Sequence, residues 1–265
     1  MYSRSQLAKK YIHYYLTASN GKGHGVHSPF VFDFIKNVLN DKKDYDRYHS
    51  IEKLRGELLQ DRRSIEVEDF GAGSLAVPHR QKKISDITRS FLKTKKFAQL
   101  LFRIVQYYKP ATIVELGTSL GITTAYIACA HKASEVFTLE GSKNVAAIAE
   151  DNFEKLGLQN VKVVKGNFDD TLPGLLSEIE KIDLVFVDGN HRKVPTLHYF
   201  QKFLQKSNDQ SVFIFDDIHW SAEMEAAWKE IQQHPSVTLT IDLFFIGLVF
   251  FKKDIKAKQH FVIRF

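Results

Sequence analysis

Two clusters of polar side chains follow two short apolar runs in the second half of the chain. Asp188-Gly189-Asn190-His191 comes after the run 182–187, and Asp216-Asp217-Ile218-His219-Trp220 comes after the run 212–215. A histidine side chain titrates near neutral pH and can therefore transfer protons during catalysis. Carboxylate oxygens are common ligands of Mg²⁺. If the two runs are strands of one parallel sheet, both clusters lie at the edge where such sheets bind their ligands.

His191 is the preferred general base in this interpretation, and Asp188 positions the substrate or a cofactor. His219 is the second choice as base. Each assignment has a plain alternative. His191 could be a solvated loop histidine, and Asp216 and Asp217 could cap the next helix, where carboxylates satisfy free N–H groups.

A glycine-rich loop binds a nucleotide where a strand precedes it and a helix N-terminus follows it. Two stretches compete for this role, residues 68–74 and residues 115–121. The first follows a half-acidic segment and is followed by Pro78, so it fails both conditions. The second lies between an apolar run, 112–114, and a predicted helix, 122–131. Residues 115–121 are therefore predicted to be the nucleotide loop.

An acidic residue, Glu140, ends the next predicted strand, nineteen residues after Gly121. An acid at this distance can hold the ribose hydroxyls of an adenosine-type ligand, and dinucleotide sites use the same device. A nicotinamide fingerprint requires glycine at position 119, where this chain has Ser119. The loop and Glu140 therefore favour an adenosine-type ligand over a dehydrogenase cofactor.

The elements that position these residues become regular from residue 111 onward. Strand-length apolar runs alternate with helix-length segments, which predicts a parallel sheet with right-handed crossovers. The runs 237–243 and 245–251 are nearly contiguous and predict an antiparallel hairpin. The predicted fold is α/β, a doubly wound, Rossmann-like, seven-stranded and mainly parallel sheet with this C-terminal hairpin. The other five predicted strands are 112–115, 135–139, 161–164, 182–187 and 212–215, and the run 261–265 stays ambiguous.

The first forty residues contain two helical patterns, 5–18 and 29–39. Ser28 and Pro29 supply the N-cap acceptor and the preset φ of the second pattern. These helices are predicted to belong to an N-terminal helical cap and substrate or lid region, residues 1–85. The predicted cofactor-binding core is residues 86–265.

Composition limits the remaining possibilities. The 265 residues carry a net charge of +6 and one cysteine, Cys129, which rules out an internal disulfide and is interpreted as a core residue. The longest apolar run is too short to cross a bilayer, and the first thirty residues lack a signal-peptide core, which predicts a cytoplasmic protein. Residues 80–109 are predicted to be helical and hold nine Lys/Arg against one acid. They form either a solvated face or a site for an anionic substrate or nucleic acid.

Residues 111–251 resemble class I S-adenosylmethionine-dependent methyltransferases, in which the first strand ends in an acid two residues before the glycine loop, as Glu115-Leu116-Gly117 does here. The resemblance implies S-adenosylmethionine as cofactor and a C-terminal hairpin like the predicted one. It also implies a polar residue after the third strand that meets the adenine, which is Asn167 here instead of the commoner aspartate. The residues predicted to bind the cofactor are Glu115, Gly117, Thr118, Ser119, Gly121, Glu140, Gly141, Asn167 and Asp188.

The two polar clusters are similar to those of catechol O-methyltransferase and its relatives. The family binds a divalent metal through an aspartate after strand four and an Asp-Asn pair after strand five. Asp188 matches the first position, Asp216-Asp217 replaces the pair, and His191 stands where the family has a lysine. The resemblance implies a possible Mg²⁺ site. The N-terminal His24-Gly25-Val26-His27-Ser28-Pro29-Phe30 stretch is similar to that of an uncharacterised bacterial branch of the family.

The leading functional hypothesis is a methyltransferase that acts on an O or N nucleophile of a small molecule. A second hypothesis makes the acceptor RNA or a protein, bound by the basic residues 80–109. A third is a binding protein that keeps the cofactor fold without catalysis. A monomer and a homodimer both remain open.

Overall fold

The computed structural model describes residues 1–68 and 79–265. It divides into two compact units, Met1–Asp41 with Ile179–Phe265, and Lys42–Glu178. Most of the rejected glycine stretch at 68–74, and Pro78 after it, lie outside the described residues. The functional division into a cap, residues 1–85, and a core, residues 86–265, stays a prediction.

The helices and strands of the described residues are numbered in chain order. The helices are α1 (Arg4–Thr17), α2 (Pro29–Phe34), α3 (Asp46–Gln60), α4 (Ile84–Phe91), α5 (Lys95–Tyr108), α6 (Ile122–Ala130), α7 (Lys143–Lys155), α8 (Phe168–Glu178), α9 (Lys193–Leu204) and α10 (Ala222–Gln233), and α2 continues as a π-helical turn, Ile35–Leu39. The strands are β1 (Ser64–Glu68), β2 (His79–Lys83), β3 (Thr112–Leu116), β4 (Glu135–Glu140), β5 (Val161–Lys165), β6 (Leu184–Val187), β7 (Val212–Asp216), β8 (Leu239–Asp242), β9 (Ile246–Phe250) and β10 (Gln259–Val262).

The unit Lys42–Glu178 contains three parallel strands in the order β3-β4-β5. Ile113 and Val114 are adjacent in β3 and fully buried, as expected of a strand covered on both faces. Within residues 41–63, whose structure the sequence pattern does not decide, the chain forms α3, which buries Tyr48, Ile51 and Leu54 at helical spacing. These side chains join the core under the glycine loop together with residues of α4, α5 and α6.

The prediction that residues 80–109 are helical is wrong at their start. Arg80 to Lys83 belong to β2, which pairs with β1 in an antiparallel hairpin, and α4 and α5 follow. Val67 lies opposite Arg80 in this hairpin and packs against the core of the unit. This tertiary contact holds the basic segment extended, and a local helical pattern cannot reveal it.

The unit of Met1–Asp41 and Ile179–Phe265 has five strands in the order β10-β8-β9-β7-β6. The predicted hairpin is confirmed, since β8 and β9 are antiparallel with Leu239 opposite Phe250. Phe261 and Val262, the start of the ambiguous C-terminal run, belong to β10, which is parallel to β8. The units therefore contribute eight strands to mainly parallel sheet structure, one more than the seven predicted, and the α/β class is confirmed.

The N-terminal helices agree with the sequence patterns except at one cap. Ser3 begins α1 with a capping box, in which its hydroxyl accepts from the Gln6 N–H and the Gln6 side chain accepts from the Ser3 N–H. Pro29 occupies the first turn of α2 as predicted, but the Ser28 side chain makes no capping hydrogen bond to this helix. Within residues 1–68 and 79–265, no helix combines the length and apolar character needed to cross a bilayer.

Candidate active site

The glycine loop after β3 turns sharply into the N-terminus of α6. Gly117, Ser119 and Gly121 have φ angles of 101°, 49° and 79°, all in the region that favours glycine. The N–H groups of Gly117 and Thr118 donate to the Leu139 carbonyl at 3.0 and 3.2 Å, which ties the loop to β4. The first N–H groups of α6, from Ile122 onward, have no acceptor within the helix. They can therefore donate hydrogen bonds to an anion.

Gly121 is needed at this turn for two reasons. Its φ is positive, and a Cβ atom there would lie 2.6 Å from the Phe153 ring and 3.2 Å from the Cβ of Ala149. We expect Gly121→Ala to lower the free energy of unfolding by roughly 2–4 kcal/mol, the sum of backbone strain and overpacking. Urea unfolding followed by circular dichroism measures this loss.

Gly157→Ala is the matched control for that prediction. Gly157 also has a positive φ, 66°, but no atom of the described residues lies within 4 Å of the position that a Cβ atom would take there. The control should lose only the backbone part, about 1–2 kcal/mol. Equal losses in the two variants would contradict the close approach of Phe153 to the loop.

Glu140, at the end of β4, joins the glycine loop to the loop that precedes α7. Its carboxylate accepts from the Ser119 N–H at 2.8 Å and from the Ser142 N–H at 3.0 Å. Burial raises the pKa of Glu140, while the backbone N–H groups of Ser142, Ser119 and Gly141 act in the opposite direction. The carboxylate is thus fixed beside the glycine loop, where an acid can accept from a pair of ribose hydroxyls.

Glu115 supports the loop from inside the core. Its side chain is fully buried, and the hydroxyls of Thr124 and Thr138 donate to its carboxylate at 2.5 and 2.6 Å. The Thr118 hydroxyl is 2.6 Å from that of Thr138. Glu115 and Thr118 therefore belong to one buried hydrogen-bond network beneath the predicted cofactor loop.

Asn167 begins α8. Its side-chain oxygen accepts from the Asp169 N–H at 3.1 Å, which is the geometry of an N-cap. The amide oxygen that would meet an adenine amino group is thus already an acceptor within the chain. A contact between Asn167 and the cofactor stays a prediction.

The second cluster, in the other unit, brings Asp188, His191 and Asp216 together. One oxygen or nitrogen from each lies within 4.8 Å of the others, and His191 Nε2 is 3.6 Å from Asp188 Oδ1. Asp216 is almost completely buried, whereas Asp188 and His191 are half-buried. Asp217 is not part of this group. Its φ is 54° and its N–H donates to the Phe245 carbonyl.

These three residues fit a divalent cation in the kind and number of their donors. Two carboxylates and one imidazole nitrogen match sites for Mn²⁺ or Zn²⁺ as well as Mg²⁺, because the imidazole is a softer ligand than oxygen. Asp188 and Asp216 agree with the ligands that the family resemblance implies. His191 takes the place that Asp217 was expected to fill.

His219, the second choice as base, is held between two carboxylates. Its Nδ1 lies 3.1 Å from Glu225 Oε1 and its Nε2 lies 2.8 Å from Asp242 Oδ2. Burial lowers the pKa of His219, but the bonds to Asp242 and Glu225 outweigh it and the pKa is raised. Hydrogen bonds from both ring nitrogens would leave no lone pair for a substrate proton, so this geometry favours His191 over His219 as the base. No motif or spacing in the sequence pointed to Glu225 or Asp242 as its partners.

Solved structures share this architecture. An O-methyltransferase from Bacillus cereus, in complex with SAH, aligns with a TM-score of 0.56 at 21% identity over 83% of this chain and 97% of its own. An O-methyltransferase of tomaymycin synthesis from Streptomyces achromogenes, in complex with SAM, aligns with a TM-score of 0.57 at 17% identity, over 82% of this chain and 95% of its own. At such identities the likeness shows the fold, and it confirms the predicted Rossmann-like class.

A family model described as a methyltransferase domain matches residues 114–218. This segment runs from β3 to the loop after β7 and includes Glu140 and the Asp188-His191-Asp216 cluster. Over these residues the chain is similar to methyltransferase domains. The resemblance inferred from the glycine loop is thereby confirmed.

Curated relatives match shorter stretches of this chain. It is 33% identical to the rat transmembrane O-methyltransferase homolog over 94 residues, which are 34% of this chain and 36% of that protein. It is 31% identical to pig catechol O-methyltransferase over 98 residues, which are 36% of this chain and 53% of that enzyme. The matched region thus spans about a third to a half of the length of these relatives.

Proposed function

We propose that this protein transfers the methyl group of S-adenosylmethionine to an oxygen or nitrogen nucleophile of a small molecule. The observation that carries the proposal is the Glu140 carboxylate, held by backbone N–H groups of Ser119 and Ser142 beside the glycine loop. The SAH and SAM complexes of the similar structures support the choice of cofactor. The similarity to pig catechol O-methyltransferase favours an oxygen acceptor on a compact substrate.

The residues around β3 and β4 would hold the cofactor. Glu140 would accept from the two ribose hydroxyls, and the first N–H groups of α6 would receive the methionine carboxylate. When bound, S-adenosylmethionine supplies a methyl group on a positively charged sulfur, ready for direct displacement. Glu115 and Thr118 would stabilise the conformation of the glycine loop through their buried hydrogen bonds. Asp188 stays a predicted cofactor contact.

The acceptor must lose a proton as its oxygen or nitrogen forms the new bond to the methyl carbon. We assign this proton to Nε2 of His191, which accepts it when a cation is held by the two carboxylates and not by the ring, and Asp188 at 3.6 Å would stabilise the resulting imidazolium. The products are the methylated acceptor, S-adenosylhomocysteine and a proton that the histidine returns to water. A hydroxyl acceptor gains most from such a base, because its own pKa is far above neutral.

A divalent cation would be held by Asp188 and Asp216 and would lower the pKa of a bound hydroxyl. We expect Mg²⁺ or Mn²⁺ to raise the melting temperature of the wild-type protein, since the cation binds the native state alone. In Asp216→Asn the increase should disappear, whereas Asp209→Asn, which changes a half-buried acid outside the cluster, should keep it. A metal-induced increase that survives Asp216→Asn would place the cation elsewhere.

The direct test incubates the protein with methyl-labelled S-adenosylmethionine and a panel of catechols, phenols and amines, with and without EDTA. Label in a small molecule supports the proposal. Label in RNA or protein, with steep salt dependence, would favour the second hypothesis and the basic segment 80–109. Cofactor binding without transfer to any acceptor, including cell extract, would favour the non-catalytic alternative. The cytoplasmic location and the choice between monomer and homodimer stay predictions.

A further inference from the structure

His219 lies at the centre of a half-buried charged cluster in the unit of Met1–Asp41 and Ile179–Phe265. Its two ring nitrogens face Glu225 of α10 at 3.1 Å and Asp242 at the end of β8 at 2.8 Å. The Phe244 ring stacks on the imidazole, with 5.2 Å between centroids. We call His219, Glu225, Asp242, Lys10 and Tyr2 the His219 cluster.

The partners of His219 determine its protonation. A carboxylate can only accept a hydrogen bond, so each ring nitrogen must carry a hydrogen to bond its partner, and two such bonds require an imidazolium. Lys10 Nζ adds a second cation, 2.9 and 3.0 Å from the two carboxylate oxygens of Glu225. Two cations thus balance two carboxylates, and loss of the imidazolium proton would leave a net negative charge in this half-buried site.

The same cluster fastens the N-terminal helix to the loop after β7. Glu225 accepts from the Tyr2 hydroxyl at 2.8 Å, and the Tyr2 N–H donates to the Trp220 carbonyl at 3.1 Å. Phe244, stacked on His219, also contacts the rings of Tyr11 and Tyr14 of α1. The chain before and within α1 therefore meets the loop through polar and aromatic contacts that converge on His219.

This loop begins at a residue of the candidate active site. Asp216 is the last residue of β7, and His219 follows three residues later. Between them Asp217 has a positive φ of 54°, and its N–H donates to the Phe245 carbonyl at 2.7 Å. The Trp220 N–H closes the turn on the Asp217 carbonyl at 2.9 Å. A strained turn of this kind needs outside contacts to hold it, and the His219 cluster supplies them.

We propose that His219 is a positioning residue, which as an imidazolium bound to Glu225 and Asp242 fastens α1 to the loop after β7 and so holds Asp216 in the geometry for methyl transfer. The effect on turnover rests on the proposed function. The attachment of α1 to the loop does not rest on the proposed function, because the contacts within the His219 cluster involve no ligand. In this proposal the N-terminal helix acts on the reaction through the His219 cluster.

The fastening depends on pH with a definite sign. The pKa of His219 is raised, so the stabilisation is fully present below the ordinary value of 6.5 and is lost as pH rises through the raised value. Hydrogen bonds with Glu225 raise the pKa of both Tyr2 and Lys10, and burial raises that of nearby Tyr14, so these groups keep their protons over the same range. The guanidinium of Arg264, a permanent cation, lies close to Tyr14.

The test examines the wild-type ring and then compares His219→Gln with wild type, all at pH 7. Nitrogen NMR of the wild-type ring should show both nitrogens protonated. Hydrogen exchange at the amides of α1, Asp217 and Trp220 should become about tenfold faster in His219→Gln. The kcat should fall about 10- to 100-fold, as expected for a misplaced catalytic group, while the Kd for S-adenosylhomocysteine stays unchanged. His234→Gln, at the other end of α10, is the matched control and should resemble wild type.

Lys10→Met provides a second test if His219→Gln folds poorly, because it removes the hydrogen bonds between Lys10 of α1 and the Glu225 carboxylate. It should accelerate exchange in α1 and lower kcat in the same direction. A neutral His219 ring in wild type, or unchanged exchange and kcat in the folded variants, would overturn the proposal. If wild-type protein transfers no methyl group, the proposed function fails separately, and the ring protonation and amide exchange still decide whether His219 fastens α1.

Discussion

Glu140→Ala should abolish most of the affinity for S-adenosylhomocysteine, with an expected increase in Kd of roughly 10²- to 10³-fold. A carboxylate that accepts from two ribose hydroxyls makes two hydrogen bonds to a charged group, each worth about 1.5–3 kcal/mol. Their joint loss, taken at the lower end of the summed range, is about 3–4 kcal/mol and corresponds to this change in Kd. Isothermal titration calorimetry measures the effect directly and requires no knowledge of the acceptor.

The carboxylate also accepts from Ser119 and Ser142, so loop damage must be separated from ligand loss. Glu140→Gln keeps the size of the side chain and should still weaken binding, because its amide N–H₂ is a donor facing other donors. Glu150→Ala is the matched control, a half-exposed acid of α7 paired with Lys165 at 2.7 Å, and should bind normally. Affinity in Glu140→Ala within threefold of wild type would remove the cofactor site from this loop.

Binding should also depend on pH through Glu140. Because its pKa is raised by burial, the carboxyl becomes protonated at a higher pH than an exposed glutamate would. The affinity for S-adenosylhomocysteine should therefore decline as pH falls, beginning above the usual range for glutamate. Calorimetry of wild type from pH 7 to pH 5 checks the direction, and Glu140→Gln should lack this dependence.

His191→Ala should lower kcat by about 10²- to 10⁴-fold, the range for loss of a general base. The Kd for S-adenosylhomocysteine should stay close to that of wild type, since the predicted ribose and methionine contacts lie elsewhere in the chain. Single-turnover transfer of labelled methyl to the best acceptor found in the panel separates chemistry from product release. A loss in kcat without a change in Kd would support proton transfer at this residue.

His198→Ala is the control for that prediction. His198 is exposed on α9, the helix that follows the His191 loop, and has the same side chain. It should retain full activity. If His191→Ala were as active as His198→Ala, the base would have to be another group, and Asp188 and Asp216 would be the next residues to test.

The sequence alone determined the features that depend on local pattern. The glycines and Ser119 of the nucleotide loop require a strand before them and a helix after them, and both neighbours could be identified from apolar runs. Glu140 ends a strand whose length is set by its apolar residues. The hairpin of β8 and β9 followed from two apolar runs with almost no chain between them. Such features need no knowledge of what lies across the molecule.

Tertiary structure decided the roles of the charged side chains. His191 and His219 follow strands in similar clusters, yet their surroundings differ, because His219 is enclosed by carboxylates from α10 and β8. Sequence position could not separate the two histidines, since Asp242 lies 23 residues further along the chain. Residues 80–83 are extended for a similar reason, since β1 pairs with them. Hydrophobic periodicity records which residues are buried, whereas a charged group takes its protonation and its role from neighbours that only the folded chain brings together.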